Sequence, residues 1–185
     1  RQTEFPLGTE AERETLRKLL EARPEFPEPT GWIRGEPEEI AFLQSLRLKE
    51  TGLPLPVSDF RIFGEARRTR KEAYRAYLDG VDHVLEAGIV ARCHLEDVTR
   101  ADLYGFVVPL VRELMKRARE AEVPVKIRLC DSLGLAVVHP GAAPPRSVQR
   151  LVHAMAEEAE VPSEWLEWEG RGEMGLASSS TAWMS

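Results

Sequence analysis

The sequence predicts an α/β fold in which parallel strands alternate with helices, and three observations support this prediction. Stretches at residues 85–97, 119–131 and 157–169 each contain a helix end, a short turn, an extended run and a final acidic residue. Helix-capping motifs precede segments with helical apolar spacing. No segment has the composition of a linker. Strands that alternate with helices pair in parallel through right-handed crossovers, so the fold is either a barrel or a doubly wound sheet.

The three repeated stretches place Asp97, Asp131 and Glu169 at the ends of successive strands. Units of this kind, spaced a few tens of residues apart, are typical of stacked βα repeats. In α/β folds the functional site lies at the carboxyl ends of the strands. We therefore expect chemistry at the edge of the sheet where these acidic residues meet.

The first half of the chain predicts strands and helices in alternation. Residues 1–5 are extended, and the capping box from Thr9 to Glu12 starts a helix with leucines on one face. The proline-rich segment 24–29 ends that helix. The elements that follow are a strand at 30–34, a helix at 36–46 and a strand at 49–55.

The second half continues the alternation. A capping box from Thr69 to Glu72 starts a long helix that ends at Gly88. Pro109 is expected to kink or delay a helix within residues 102–121, and Ser147 caps a further helix. The remaining expected elements are a strand directly after Gly88, strands at 125–130 and 165–168, and a helix at 177–184.

Composition limits the class of protein. The 185 residues are 43% hydrophobic and carry a formal net charge of -6. This length supports one substantial core, so we expect a single domain over residues 1–185. A nucleic-acid partner is not expected, because phosphate binding needs a cationic surface. No apolar run approaches membrane-spanning length and no signal segment opens the chain, so we expect no membrane partner.

Two cysteines, Cys93 and Cys130, both fall inside strands that are expected to be buried. Small buried thiols are more typical of core positions than of a disulfide or a metal pair. Unpaired thiols fit a reducing compartment, and we therefore expect a cytoplasmic location.

Side chains that transfer protons or bind anions are dense around the first repeat strand. Arg92, His94 and Glu96 share one face of that strand, because side chains alternate along a strand. Burying such groups unpaired is costly, so they either pair with each other or await a ligand. The sequence therefore leaves two interpretations of these side chains, a functional pocket and an internal ion-pair network. At the end of the opening strand, Glu4 fits a helix cap or a solvated carboxylate as well as it fits a functional role.

Three motifs resemble a known family: His-Leu-Glu-Asp-Val-Thr-Arg-Ala-Asp at 94–102, Lys-Ile-Arg-Leu-Cys-Asp-Ser-Leu-Gly at 126–134, and Glu-Trp-Glu-Gly-Arg at 167–171. They are similar to the metal-dependent condensing and lyase superfamily of isopropylmalate, homocitrate, citramalate and Re-type citrate synthases and hydroxymethylglutaryl-CoA lyase. The resemblance implies an α/β fold, a (β/α)8 TIM barrel, present here from about the second strand to the seventh helix. It implies an acyltransferase or carbon-carbon lyase that uses an acyl-CoA, a 2-oxo acid and a divalent metal such as Mg, Mn or Zn.

The resemblance also implies roles for individual residues. Glu4 would assist proton transfer, and Arg92 would bind the carboxylate of the 2-oxo acid through both guanidinium nitrogens. His94 and Glu96 would shape the substrate pocket. The pair Asp131 and Ser132 would also face the pocket, with the serine hydroxyl binding substrate.

The sequence departs from the superfamily at the metal. The first-strand motif of Asp-x-Thr-x-Arg type and the eighth strand with its ligand Asn have no counterpart, and residues 169–171 read Glu-Gly-Arg where the superfamily has His-x-His. Glu169 could still bind a hard cation, but Arg171 would repel it. We therefore expect most metal ligands to be missing and assign none.

Three interpretations follow. The favoured one is a portion of a longer condensing enzyme, because the sequence begins with Arg1 rather than Met. The second is a degenerate, non-catalytic subunit that pairs with a complete partner. The third is a carboxylate-binding α/β module of different function. A homo-oligomer such as a dimer, or a complementing chain, is the expected partner.

Overall fold

Six parallel strands form one sheet in the order β1-β2-β3-β4-β5-β6 in a computed structural model that describes residues 2–22, 24–139 and 141–172. The strands are β1 (Gln2–Pro6), β2 (Glu28–Trp32), β3 (Glu50–Pro56), β4 (Val90–Glu96), β5 (Val125–Asp131) and β6 (Leu166–Gly170). The helices are α1 (Glu10–Glu21), α2 (Pro37–Ser45), α3 (Arg70–Glu86), α4 (Val108–Ala121) and α5 (Val148–His153). Each strand therefore pairs with the next strand in the chain, as in consecutive βα units.

The sheet is strongly curved. In a flat sheet, four strand spacings of about 4.8 Å would separate β1 from β5 by about 19 Å. Instead, Glu4 of β1 and Arg128 of β5 form an ion pair of 3.0 Å across the concave face. The six strands thus form a half-barrel with the helices outside, which confirms the predicted partial (β/α)8 architecture.

Local sequence signals explain where the helices begin. The Thr9 and Thr69 side chains each accept a hydrogen bond from the backbone of the glutamate three residues on, completing the predicted capping boxes. Pro109 lies in the first turn of α4, which begins at Val108 after a π-helical turn, so this proline delays the helix as expected. The helix expected at 177–184 lies outside the described residues. No helix in the described ranges is both long and apolar enough to cross a bilayer.

One strand begins earlier than predicted. The proline-rich composition placed the start of the second strand at residue 30, but β2 begins at Glu28, which is aligned with Gln2 of β1. Pairing with β1 extends the strand across Pro29, a position that local composition assigns to a loop.

The hydrophobic core lies between the convex face of the sheet and the helices. Along β4 and β5 the odd-numbered residues face this core and are fully buried, whereas the even-numbered residues face the concave side. Cys93 is odd-numbered and belongs to the core, as predicted. Cys130 is buried too, as predicted, but it is not part of the cluster that holds Cys93. It lies on the concave face, aligned with Glu96 of β4.

Candidate functional site

A network of charged side chains fills the lower part of the concave face. Arg92 is only 1% exposed and contacts three carboxylates. Its Nη1 lies 2.8 Å from Glu4, its Nη2 donates a hydrogen bond to Glu50, and its Nε lies 3.2 Å from Glu167. The guanidinium is therefore surrounded by internal partners. Of the two interpretations that the sequence left open, the ion-pair network describes the contacts of Arg92.

Two further cations complete this network. Arg128 bridges Glu4 at 3.0 Å and Glu167 at 2.8 Å, and Lys126 lies 2.7 Å from Glu50. Three cations thus face three carboxylates contributed by β1, β3 and β6. Because every member has a partner of opposite charge, the network avoids the cost of an unpaired buried ion.

Glu4 is the centre of the upper part of the network. Its Oε1 accepts a hydrogen bond from Arg92 and lies 3.1 Å from Nε2 of His94. Burial opposes ionisation of Glu4, but hydrogen bonds from His94 and Arg92 and the charges of His94 and Arg128 outweigh it. Together they lower the pKa of Glu4 to about 2. Glu4 is therefore a fixed negative charge at neutral pH that orients the imidazole.

Gly52 of β3 makes this convergence possible. A Cβ atom at Gly52 would lie 2.8 Å from the Trp32 ring, 2.9 Å from Nε2 of His94 and 3.1 Å from Oε1 of Glu4. These separations are shorter than ordinary van der Waals contacts between such atoms. The missing side chain therefore creates the space in which Glu4 and His94 meet.

A cavity of about 190 Å³ opens above this network at the carboxyl ends of the strands, and we call it the rim cavity. Its lining residues are Glu4, Pro6, Trp32, His94, Glu96, Cys130, Ser132, Glu169 and Arg171. Of the residues that the sequence assigned to a pocket, Glu4, His94, Glu96 and Ser132 are brought together here. Arg92 lies beneath them in the ion-pair network.

The expectation that Asp131 faces the pocket was wrong. Asp131 is fully buried and accepts hydrogen bonds from the Thr99 hydroxyl at 2.7 Å and from the backbone N–H groups of Leu135 and Ala136 at 2.9 and 2.8 Å. Strand alternation turns its side chain away from that of Cys130. Asp131 therefore organises the loop after β5, while Ser132 lines the cavity and accepts a hydrogen bond from the Asp97 backbone.

Glu96 links the rim cavity to a larger neighbour. Burial raises the pKa of Glu96, and the nearby charge of Arg61, whose Nη2 lies 3.2 Å away, acts in the opposite direction. The neighbouring cavity has a volume of about 380 Å³, shares Trp32 and Glu96 with the rim cavity, and is also lined by Arg34, Arg61, Arg68 and Tyr77. The two spaces are therefore adjacent, and the larger one carries a basic lining.

Three side chains of the rim cavity are possible metal donors. The ligand atoms of His94 on β4, Cys130 on β5 and Glu169 on β6 all lie within 4.8 Å of one another. Imidazole, thiolate and carboxylate are all ligands of divalent ions, so this donor set fits the metal that the superfamily resemblance implies. Cys130, and the network residues Glu50, Lys126 and Glu167, were missed by the sequence argument. Strand alternation applied to β5 as it was to β4 would have identified Lys126, Arg128 and Cys130.

Comparison with other proteins identifies the group to which the chain belongs. It is 47% identical over 186 residues to citrate (Re)-synthase of Clostridium kluyveri, and the alignment covers 100% of this chain and 41% of the relative. It is 46% identical to citrate (Re)-synthase of Syntrophus aciditrophicus, over 100% of this chain and 30% of that protein. The chain belongs to the metal-dependent condensing and lyase superfamily. No protein-family model matches it.

A more distant sequence relative is also similar to the chain, and one solved structure shares its fold. The chain is 38% identical over 133 residues to 2-phosphinomethylmalate synthase of Streptomyces hygroscopicus, which covers 69% of this chain and 30% of the relative. Hydroxymethylglutaryl-CoA lyase of Pseudomonas aeruginosa superposes with a TM-score of 0.66 and 16% identity over 95% of this chain and 55% of the lyase. At this identity the lyase supports the fold alone. The chain spans about two fifths or less of the length of the synthases that it matches.

Proposed function

We propose that this chain carries the 2-oxo acid side of a condensation that joins an acetyl unit from acetyl-CoA to a 2-oxo acid. The observation that supports this most directly is the rim cavity, which collects Glu4, His94, Glu96 and Ser132 at the carboxyl ends of the strands. His94, Glu96 and Ser132 come from motifs that resemble those of the superfamily. The similarity to citrate (Re)-synthases favours oxaloacetate as the 2-oxo acid, since citrate is the adduct of an acetyl unit and oxaloacetate.

The reaction needs a proton acceptor and a way to stabilise charge on the 2-oxo group. Glu96 lines the same cavity and burial raises its pKa, so we assign the proton transfer to Glu96, while Glu4 holds the imidazole of His94 at the cavity wall. With a pKa of about 2, Glu4 is too weak a base to hold a proton at neutral pH, so it assists by orienting His94. A bound divalent ion would polarise the 2-oxo carbonyl, and His94, Cys130 and Glu169 would hold that ion.

Substrate carboxylates would enter the existing network. Arg92 was predicted to bind the carboxylate of the 2-oxo acid, and its Nε contact with Glu167 is longer than its contact with Glu4. Glu167 is also the more exposed of these two acids, at 30% against 17%. We therefore propose that a substrate carboxylate displaces Glu167 from Arg92, while the Ser132 hydroxyl donates to the substrate.

The acyl-CoA would occupy the adjacent larger cavity. Its lining includes Arg34, Arg61 and Arg68, which can pair with phosphate groups, and its shared wall at Trp32 and Glu96 would bring the thioester to the rim cavity. This assignment fits a ligand with a long chain and anionic phosphates.

Partners and compartment are also proposed. Within the described residues β1 and β6 each pair on one side only, and exposed sheet edges are usually covered in proteins. We propose that another segment or another chain, in a homo-oligomer or with a complementing partner, covers these edges. The two cysteines are unpaired thiols, which fits a reducing cytoplasm.

Thermal unfolding with and without ligand tests the proposed function. Oxaloacetate and acetyl-CoA should each raise the melting temperature of the zinc-supplemented chain, because a ligand that binds only the folded state stabilises it. Ser132→Ala should reduce the oxaloacetate shift, whereas Ser163→Ala, at an exposed serine outside the cavity, should not. A wild-type chain that responds to neither compound would refute the proposal.

A further inference from the structure

His94, Cys130 and Glu169 come from three adjacent strands and reach one point. Glu96 of β4 is aligned with Cys130 of β5, and Cys130 is aligned with Glu169 of β6. His94 lies two residues before Glu96 and therefore on the same face of β4. The ligand atoms of the three donors lie within 4.8 Å of one another, so small side-chain rotations would bring all of them to about 2.0–2.3 Å from one ion.

Glu169 is the carboxylate of the rim cavity with the longest cation contacts, and the charge of Arg171 opposes a bound ion there unless its exposed side chain turns toward solvent. Glu4 has cationic partners at 2.8 and 3.0 Å, and Glu96 has one at 3.2 Å. In the described part of the chain, the cation contacts of Glu169 are longer: Arg128 and Arg171 each lie 3.8 Å away. Among the described residues, Glu169 is therefore the carboxylate of the lining that has no cation within direct hydrogen-bond distance.

The other two donors are oriented before any ion arrives. Glu4 holds the imidazole of His94, and carboxylates commonly fix ligating imidazoles in this way. Cys130 is buried on the concave face, where its Sγ lies 3.7 Å from Oε2 of Glu169. The thiol has no place in the ion-pair network beneath it, and a ligating role would account for its position.

We propose that His94, Cys130 and Glu169 form a binding site for one zinc-class divalent ion, with a fourth coordination position open to the rim cavity. Thiolate and imidazole ligands select borderline-soft ions such as Zn²⁺ or Co²⁺ over Mg²⁺, which prefers oxygen. Three protein ligands and one open position are typical of catalytic rather than structural zinc.

This donor set differs from the superfamily pattern that the sequence led us to expect. There, one strand supplies two histidines, whereas here Glu169 and Arg171 occupy those positions and β4 and β5 supply the imidazole and the thiol. The inference deepens the proposed function. It rests on that function for the catalytic use of the ion but not for its binding.

Metal binding to the reduced, chelator-treated chain tests the site without any substrate. Equilibrium dialysis followed by elemental analysis should find one Zn²⁺ per chain, unaffected by excess Mg²⁺. Co²⁺ should give the near-ultraviolet charge-transfer absorption of a cobalt–thiolate bond. Wild-type protein that is folded but binds no stoichiometric Zn²⁺, or that binds Co²⁺ without this absorption, overturns the proposal.

A matched pair of variants assigns the thiol. Cys130→Ala should abolish the charge-transfer absorption and weaken Zn²⁺ binding at least tenfold. Cys93→Ala, at the fully buried cysteine on the opposite face, should retain both properties. Equal binding by the two variants would overturn the proposal. If either variant fails to fold, the wild-type Co²⁺ spectrum decides, together with Glu169→Gln, which should also weaken binding. Zn²⁺ binding without any response to oxaloacetate would refute the proposed function and leave the metal site standing.

Discussion

Glu4 and Arg128 are 124 residues apart in sequence, yet Nη1 of Arg128 donates a hydrogen bond of 3.0 Å to Oε2 of Glu4. These residues belong to β1 and β5, which are separated by three strands in the sheet. The contact therefore spans the concave face instead of running along it. It ties the first strand of the half-barrel to the fifth and forms the floor beneath the rim cavity.

The Glu4–Arg128 pair should stabilise the half-barrel measurably. Both side chains are largely buried, at 17% and 19% exposure, so Glu4→Gln and Arg128→Met should each lower the free energy of unfolding by about 1–3 kcal/mol. In a double-mutant cycle measured by urea denaturation, the two changes should couple by about 1 kcal/mol. If the two changes in the free energy of unfolding are strictly additive, the ion pair does not stabilise the half-barrel.

Gly52 should tolerate no side chain. Gly52→Ala places a Cβ against Trp32, His94 and Glu4, so it should destabilise the fold by about 1–3 kcal/mol and reduce the oxaloacetate response. Gly64→Ala is the control, because a Cβ at Gly64 meets no atom within 4 Å. Denaturant titration of both variants checks the prediction. An unchanged stability for Gly52→Ala would mean that Trp32, His94 and Glu4 are not held close together.

We expect Asp131 to have a structural role and Ser132 to have a role in ligand binding. Asp131→Ala leaves the Leu135 and Ala136 N–H groups without their partner, and we expect it to cost about 2–4 kcal/mol of stability. Ser132→Ala should change stability by less than about 1 kcal/mol. Chemical denaturation of both variants beside the wild type measures the difference. Comparable losses would contradict the division of roles.

Tyr77 should make the free energy of unfolding depend on pH in the alkaline range. Burial raises the pKa of Tyr77 to about 12, and its hydroxyl donates a hydrogen bond to the Pro56 carbonyl. Because the folded-state pKa is raised above the unfolded value of about 10, this contribution is complete below pH 10 and is lost as the pH rises toward 12. The stability difference between wild type and Tyr77→Phe, measured from pH 8 to 12, should shrink across that window. A pH-independent difference would contradict the raised pKa.

The sequence predicted more of the fold than of the site, and single strands show why. Alternation along β4 placed Arg92, His94 and Glu96 on one face, because that periodicity is local. The same rule on β5 identifies Lys126, Arg128 and Cys130, but the shared motif drew the prediction to Asp131, which faces away from the cavity.

The partners of Arg92 were beyond local reasoning. Glu4, Glu50 and Glu167 meet Arg92 only because the sheet curves, and curvature depends on how all six strands and their helices pack. Carboxylates on other strands therefore gave no signal in the pattern around residue 92. The cluster of His94, Cys130 and Glu169 was missed for the same reason.

The central claim is that the rim cavity binds the 2-oxo acid, and amide NMR of the zinc-supplemented 20.9 kDa chain during oxaloacetate addition tests it most directly. The account predicts saturable shifts centred on the amides of Glu4, His94, Ser132 and Glu169. It also predicts that Ser132→Ala weakens them. Shifts centred elsewhere on the chain, or no saturable shift at all, would contradict it.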